Sequence, residues 1–289
     1  MALAYIENSL LDLAVEPHVV VEPQTHLPFS SISPFTITLV GSLNQGELNL
    51  KEIFNQLPIT ETNFKAKEGK KVKINVIAHS GAILAAKYKM DGVLVVRGIN
   101  KNTKPFNNCI SLVMTVSSKA GVPEKNIDFK LFKDKIQTTG SRRIEHTTEA
   151  WSYLKRYLAE MTNASLVPIA ELDIVNLRYQ MIDISFDLGF KINRENLKSA
   201  MDKVAGFHIV FESGVHSNGV SVKFPLDPVE GQLGGKKKRI LNCVSLIVFS
   251  TGKVIESGNS PEVMERVYDL FHKTMYAIRD KVELRILKR

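Results

Sequence analysis

The sequence predicts an α+β fold built from two tandem copies of one unit, and two observations support this prediction. Segments rich in Val, Ile, Leu and Phe with strand-like alternation are followed by segments with helical spacing of apolar residues. Two motifs also occur twice: residues 108–113 (NCISLV) match 242–247 (NCVSLI), and residues 135–140 (KIQTTG) match 253–258 (KVIESG). A repeated strand-and-helix pattern of this kind indicates a duplicated supersecondary unit.

Three further matches occur in the same order along the chain. Residues 48–53, 76–81 and 92–95 resemble residues 192–197, 209–214 and 219–222. The offset between the copies falls from 134 residues (108 to 242) to 118 residues (135 to 253). We therefore expect about 16 extra residues in the first copy, placed at about 118–133. Each unit then has a strand, a short helix, three or four strands and a long helix.

These matches define the expected domain organisation. Four prolines between Glu16 and Pro34 indicate an extended linker ahead of the first repeat. The expected parts are an N-terminal extension (1–33), repeat 1 (34–163), a connector (164–172), repeat 2 (173–279) and a basic C-terminal tail (280–289).

The first repeat begins with the alternating strand 35–43 and a helix over 50–57. Apolar, β-branched segments predict the next strands at 72–79, 92–97, 109–116 and 135–140. Its closing helix is expected over 144–161, because Ala150, Trp151, Leu154 and Leu158 share one face.

The second repeat follows the same order. Its predicted strands are 175–188, 208–213, 219–224, 240–249 and 253–257, and its predicted helices are 194–205 and 261–279. A Ser-Thr-Gly corner at 250–252 joins the last two strands. The sequence Asn-Ser-Pro-Glu at 259–262 is typical of a helix start.

Composition restricts the possible functions. The net charge of +8 and the pI near 9.3 favour polyanionic partners, or only solubility. Cys109 and Cys243 lie inside apolar strands, so we expect small buried thiols in a reducing compartment. No metal-ligand spacing, phosphate loop or nucleophile–base motif is present, so we expect no metal, no cofactor and no enzymatic activity. We also expect no signal peptide and no membrane-spanning segment.

A sheet covered by helices on one face leaves its other face available for a partner. Strand alternation over 253–257 places Val254 and Glu256 on the core side, so a charged Glu256 predicts a strand that is short, at an edge or bulged. The opposite, outward side then carries Lys253, Ile255 and Ser257, with Lys135, Gln137 and Thr139 in the first copy. On the preceding strand the outward residues are Ser245, Ile247 and Phe249, matched by Ser111, Val113 and Thr115.

The duplicated hairpin resembles that of the TATA-box-binding protein (TBP) family. Residues 246–258 (LIVFSTGKVIESG) are similar to the family pattern Leu-Ile-Phe-x-Ser-Gly-Lys-x-Val-x-Thr-Gly, which runs into a long helix. Residues 135–140 resemble its first-repeat partner, and residues 48–53 resemble the opening of the family's first short helix. The resemblance covers about residues 35–278 and identifies a divergent relative, and such divergence would suit a large DNA virus or an early-branching eukaryote.

The resemblance implies a saddle: a curved antiparallel sheet with helices on the convex face. Its concave face would occupy the minor groove of A·T-rich promoter DNA and bend the duplex with apolar wedges. Lysines at the edges would contact phosphates. The implied partners are double-stranded promoter DNA, a TFIIB-like factor and RNA polymerase. The implied compartment is the nucleus, or a cytoplasmic viral factory or virion.

Four wedge positions follow from the resemblance. Phe249 occupies one, Ser217 and Met90 occupy two others, and the fourth is Thr115 by the Asn-Cys match or Phe132 by spacing from Lys135. Thr38 and either Asn176 or Leu177 fall near the asparagines at the saddle centre of the family. The basic loop 236–239 would reach phosphate or remain solvated. The implied DNA-binding set is Phe249, Ile247, Lys253, Ile255, Ser257, Ser245, Lys135, Gln137, Thr139, Val113, Thr115, Met90, Thr38, Lys236, Lys237, Lys238 and Arg239.

Two rival functions follow from the departures from the family pattern. Because three wedge positions lack an unambiguous phenylalanine, the chain fits a protein-interaction module that has lost DNA binding. A nucleic-acid enzyme is the remaining alternative, although no catalytic motif supports it. Gel shifts with duplex DNA at low salt separate the first rival from a DNA-binding factor.

Overall fold

A computed structural model describes residues 27–45, 47–61, 78–99, 107–117, 124–202, 204, 206–210, 219–226 and 242–284. The chain divides into two compact units. Residues 35–180 form one, called here the first-repeat unit. Residues 1–34 and 181–289 form the other, called the second-repeat unit. The division falls inside a strand, between Gln180 and Met181.

The first-repeat unit contains an antiparallel sheet with strand order β3-β2-β4-β5-β6-β1. Its strands and helices are β1 (Thr36–Leu43), α1 (Leu50–Gln56), β2 (Ile83–Met90), β3 (Val93–Gly98), β4 (Ile110–Val116), β5 (Lys125–Leu131), β6 (Lys135–Ser141) and α2 (Ile144–Ala159). A 3₁₀ turn at Ile169–Glu171 precedes the next strand, β7 (Ile174–Asp187), whose first half belongs to this unit.

The second-repeat unit contains an antiparallel sheet with strand order β7-β11-β10-β9-β8. After β7 come α3 (Arg194–Met201), β8 (His208–Val210), β9 (Gly219–Pro225), β10 (Cys243–Phe249), β11 (Lys253–Gly258), α4 (Pro261–Ala277) and α5 (Arg279–Val282). A 3₁₀ turn at Phe29–Ser31 also belongs to this unit. The Phe29 ring packs edge-on against Tyr268 of α4, with ring centroids 5.6 Å apart.

In each unit the described helices pack on one face of the sheet. Phe54 of α1 and Trp151 of α2 share a core with Leu112 and Phe129 of the first-repeat sheet. Phe271 of α4 contributes to the second-repeat core, where its ring lies 6.3 Å from that of Phe186 in β7. Alternation along the strands turns the remaining residues to the opposite face, called here the open face.

Helix starts follow local capping chemistry. Ser260 accepts a hydrogen bond from the Val263 amide (3.3 Å) with Pro261 in the first turn, which confirms the start predicted for α4. Buried residues then follow the same spacing in the two long helices. Trp151, Leu154 and Leu158 of α2 correspond in spacing to Tyr268, Phe271 and Met275 of α4.

Strand registers correct the sequence alignment of the repeats. Phe129 of β5 pairs with Thr138 of β6, as Leu246 of β10 pairs with Glu256 of β11. The counterpart of β10 is therefore β5, which lies within the segment 118–133 interpreted from the sequence as an insertion. Strand β4 correspondingly matches β9, so Cys109 and Cys243 do not occupy equivalent positions. The strand without a described counterpart in the second-repeat unit is β3, at the edge of the sheet.

Strand β5 was not recognised from the sequence, because its residues (KNIDFKL) alternate between polar and apolar over a short length and resemble a polar loop. The Asn-Cys motif thus recurs in two strands that are not structurally equivalent. Strand β2 was not predicted at all, and the strand predicted at 72–79 lies mostly outside the described residues.

Candidate nucleic-acid interface

The open face of the second-repeat unit is built from rows of residues that run across the strands. One row begins with Asp183 on β7, opposite Ser257 on β11, which lies opposite Ser245 on β10 and then Lys223 on β9. The Ser257 hydroxyl donates to Asp183 Oδ1 at 2.5 Å. The two serines and Lys223 are half-buried, whereas Asp183 is 9% exposed. Hydroxyl groups beside one carboxylate therefore line this row.

The next two rows are more apolar. Ile255 lies opposite Ile247, which is 37% exposed, and Phe249 is half-buried opposite Gly219. A Cβ atom at Gly219 would lie 2.6 Å from Ile247 Cγ2 and 3.5 Å from Phe249 Cδ1. The absence of a side chain at Gly219 therefore leaves room for this apolar pair.

A tight turn positions Phe249 and Lys253 at the corner of the β10–β11 hairpin. Gly252 has a φ of +92°, which favours glycine, and its amide donates to the Phe249 carbonyl at 3.0 Å. Its own carbonyl accepts from the Leu188 amide at 3.0 Å. Lys253 is exposed and pairs in register with Asp187.

The first-repeat unit has the same kind of corner. Phe132 follows β5 directly, is half-buried, and its ring centroid lies 5.2 Å from Lys135 Nζ. Because β5 matches β10, Phe132 is the counterpart of Phe249. Of the two residues that the sequence offered as its partner, the register therefore places Phe132, and not Thr115, at the position equivalent to Phe249. The rest of this face includes half-buried Gln137 and Thr139.

Three residues expected on the open face are buried, and their prediction as exposed DNA contacts is wrong. Val113 is 6% exposed, because it packs with Ala82, Leu84 and Ala85 in a second small cluster. Thr115 is fully buried, with its hydroxyl donating to Asn126 Oδ1 at 2.9 Å.

Thr38 is 4% exposed, and its hydroxyl donates to Thr139 Oγ1 at 3.4 Å. Near the other central position, the Asn176 side chain is exposed, with a φ of +54°, whereas Leu177 packs against the first-repeat core. Of the two residues that the sequence offered for this central position, Asn176 is therefore the one that is exposed.

Met90 is also misplaced by the sequence prediction. Its side chain packs against the main core of the first-repeat unit rather than standing on the open face. The exposed apolar residues of the β2–β3 hairpin are instead Val93 (66%) and Leu94 (39%), which the sequence interpretation overlooked. Asp91 and Gly92 both have positive φ, the conformation of a two-residue hairpin turn. An Asp-Gly pair flanked by apolar residues was the available signal.

Lysines concentrate on the open face of the first-repeat unit. Lys87, Ser111 and Lys130 lie in register across β2, β4 and β5. Burial raises the pKa of the neighbouring Cys109 thiol, against the opposing effects of the Ser111 hydrogen bond and the Lys130 charge. Lys89 and Lys135 are exposed on the same face, with one acid, Asp128. Lys87 is only 6% exposed, so an anion approaching this face meets Lys89, Lys130 and Lys135.

Several predicted residues lie outside the described part of the chain. These are Ser217 and the basic loop residues Lys236, Lys237, Lys238 and Arg239. Cys109 is buried as expected, whereas Cys243 is half-buried, and the two do not form a disulfide within the described ranges. Within the described ranges, no group of three or more His, Cys, Asp or Glu residues is arranged to hold a metal ion. No helix in those ranges is both long and apolar enough to cross a membrane.

Comparison with known proteins gives a similarity among solved structures. No protein-family model matches the chain, and no curated protein matches it. Among solved structures, the chain is similar to the TBP of Methanococcus jannaschii, with a TM-score of 0.46 and 15% sequence identity. The similarity covers 85% of this chain and 98% of the M. jannaschii protein.

Proposed function

We propose that this protein is a divergent TBP-like initiation factor that binds the minor groove of A·T-rich promoter DNA. The observation that carries the proposal is the pair of open faces, each combining hydroxyl and lysine side chains and each ending in a Phe–Lys hairpin corner. The proposal includes the saddle arrangement of the repeats and recruitment of a TFIIB-like factor and RNA polymerase. It assigns no enzymatic activity, and it places the protein in the nucleus or in a viral factory or virion.

The chemistry of the faces fits this role. Minor-groove edges of A·T pairs present few distinguishing groups, and small hydroxyl and aliphatic side chains pack closely against them. An aromatic ring at a hairpin corner enters a base step at the cost of unstacking, which a bent and better-covered duplex offsets. Lys135 and Lys253, both exposed at the corners, contribute phosphate contacts.

Fluorescence anisotropy with A·T-rich and G·C-rich duplexes across a salt series tests the proposal. We expect tighter binding to the A·T-rich duplex, and affinity that falls as salt rises. Replacing Phe249→Ala together with Lys253→Ala should weaken binding at least about tenfold, since both a wedge and a phosphate contact are lost.

A matched control removes similar groups from other surfaces. Leu166 is 89% exposed, and Lys51 lies on α1 with its Nζ 3.6 Å from Asp91. Leu166→Ala with Lys51→Ala should leave affinity unchanged. Equal affinity of the Phe249/Lys253 double variant and the natural protein would reject this hairpin as the contact. Absence of any duplex binding at low salt would reject DNA binding and leave a protein-interaction module.

A further inference from the structure

Asp183 is an acid on a face otherwise suited to A·T pairs. It lies on β7 in the row that continues through Ser257 and Ser245, and its neighbours across the strands are hydroxyl side chains. It is 9% exposed, and within the described ranges its carboxylate accepts one hydrogen bond, from the Ser257 hydroxyl at Oδ1. A carboxylate has about four acceptor positions on its two oxygens, so most of its capacity remains for another donor.

The other repeat shows that this position does not require an acid for folding. Ser257 and Thr139 are counterparts, four residues after Lys253 and Lys135 in the two hairpins. Thr139 is joined to Thr38 by a hydroxyl–hydroxyl bond of 3.4 Å, as Ser257 is joined to Asp183. A threonine thus fills the structural role in one repeat, and an aspartate fills it in the other.

An aspartate and a threonine at this position would interact differently with the edges of base pairs. The minor groove of an A·T pair presents only acceptors, the adenine N3 and thymine O2 atoms. A carboxylate accepts but does not donate, so it would meet like groups there and lose its hydration without replacement. A G·C pair adds the guanine 2-amino group, the one donor of the minor groove. Hydroxyls, which donate and accept, tolerate either pair.

We propose that Asp183 accepts a hydrogen bond from the 2-amino group of a guanine, so that the preferred site is A·T-rich with one required G·C pair. This inference rests on the proposed function and adds a position of defined identity to it. The guanine lies under the second-repeat unit, and the counterpart Thr38 does not impose the same requirement, because its hydroxyl can donate as well as accept.

A single G·C pair stepped through an A·T-rich duplex tests the inference on the unmodified protein. One position should bind roughly tenfold or more tighter than the all-A·T duplex. Replacing that guanine by inosine removes only the 2-amino group, and it should return affinity to the all-A·T level. Asp183→Thr, the residue type of the other repeat, should bind all of these duplexes with similar affinity.

The outcomes separate this inference from the proposed function. If the natural protein binds the all-A·T duplex as tightly as every G·C-containing one, or inosine as tightly as guanine, Asp183 does not recognise guanine, although DNA binding stands. If no duplex binds at low salt, both proposals fail. Ser185→Ala serves as the control, because Ser185 is the next open-face residue of β7 and should not change the guanine preference.

Discussion

At the scale of one residue, Glu256 of β11 is a carboxylic acid on the core side of its strand. Alternation placed Glu256 on the core side, and the structure buries it completely. The strand has six residues, but the expectation of an edge or bulged strand is wrong, because Glu256 pairs regularly with Leu246 and with Ile184 on either side. Neither carboxyl oxygen has a hydrogen-bond partner among the residues that the structure describes. The equivalent Thr138 instead lies 2.6 Å from the Thr147 hydroxyl.

Burial is the main cause that raises the pKa of Glu256 to about 9, and the Asp269 carboxylate raises it further. The folded chain therefore keeps a proton that the unfolded chain releases above pH 4.5, the ordinary value. Because the folded state binds more protons in this range, the free energy of unfolding falls from about pH 4.5 and levels off near pH 9.

Glu256→Gln keeps the side-chain size and removes this titration. We expect the variant to gain stability over the natural protein, with a gain at least about 1 kcal/mol larger at pH 8 than at pH 5. Urea unfolding followed by circular dichroism at both pH values measures the difference. Glu265→Gln, at an exposed position of α4, is the control and should show no such trend. A gain independent of pH would mean that Glu256 does not hold a proton in the folded state.

At the scale of elements, Arg97 links the β2–β3 hairpin to the end of α1, beside the contact between the Tyr88 and Phe54 rings. Arg97 of β3 donates through Nη1 to the carbonyls of Phe54 and Asn55 and through Nη2 to that of Leu57 (2.9 Å). These are the last carbonyls of α1, which have no partner within the helix. The guanidinium also lies 5.9 Å from the centre of the Phe54 ring.

Arg97→Met should therefore loosen the hairpin, since three carbonyls lose a charged donor. We expect a loss of about 1–3 kcal/mol in the free energy of unfolding and faster hydrogen exchange at the amides of β2 and β3. The free energy of unfolding of Arg97→Lys should lie between those of the natural protein and Arg97→Met, because an ammonium group does not reproduce the guanidinium fork. Arg156→Met is the control, as Arg156 lies 4.7 Å from the Tyr153 ring on α2. Unchanged exchange at β3 in Arg97→Met would show that packing alone holds the hairpin.

Some elements of the fold could be predicted from the sequence alone, and others could not. The β10–β11 hairpin and the long helices were predicted closely, because their alternation, Gly252 turn and Ser260 cap are local signals. The roles of β5 and β3 were not predicted, since they depend on which strands pair across the sheet. For the same reason Phe132 was left as an alternative and Thr115 was wrongly expected to be exposed. Local sequence does not encode register between distant strands.

At the scale of the whole molecule, the net charge of +8 does not show where a polyanion binds. If net charge alone attracts DNA, every surface lysine contributes equally to binding. If one face binds DNA, only the lysines on that face contribute. The open face of the first-repeat unit carries Lys130 and Lys135, and the helices carry Lys51 on α1 and Lys155 on α2. These pairs allow the two cases to be compared at the same net charge.

Lys130→Gln with Lys135→Gln should reduce the salt dependence of DNA binding. Each lost phosphate contact lowers the slope of log K against log salt by roughly 0.9. Lys51→Gln with Lys155→Gln removes the same charge from the helices, where Lys155 pairs with Asp173 at 3.2 Å, and should leave the slope unchanged. Anisotropy titrations over a salt series measure both. Only lysines in contact with phosphates release counterions on binding, so a specific face predicts a reduced slope in the Lys130/Lys135 variant alone. Equal reductions in the two double variants would show that net charge, and not the open face, attracts the duplex.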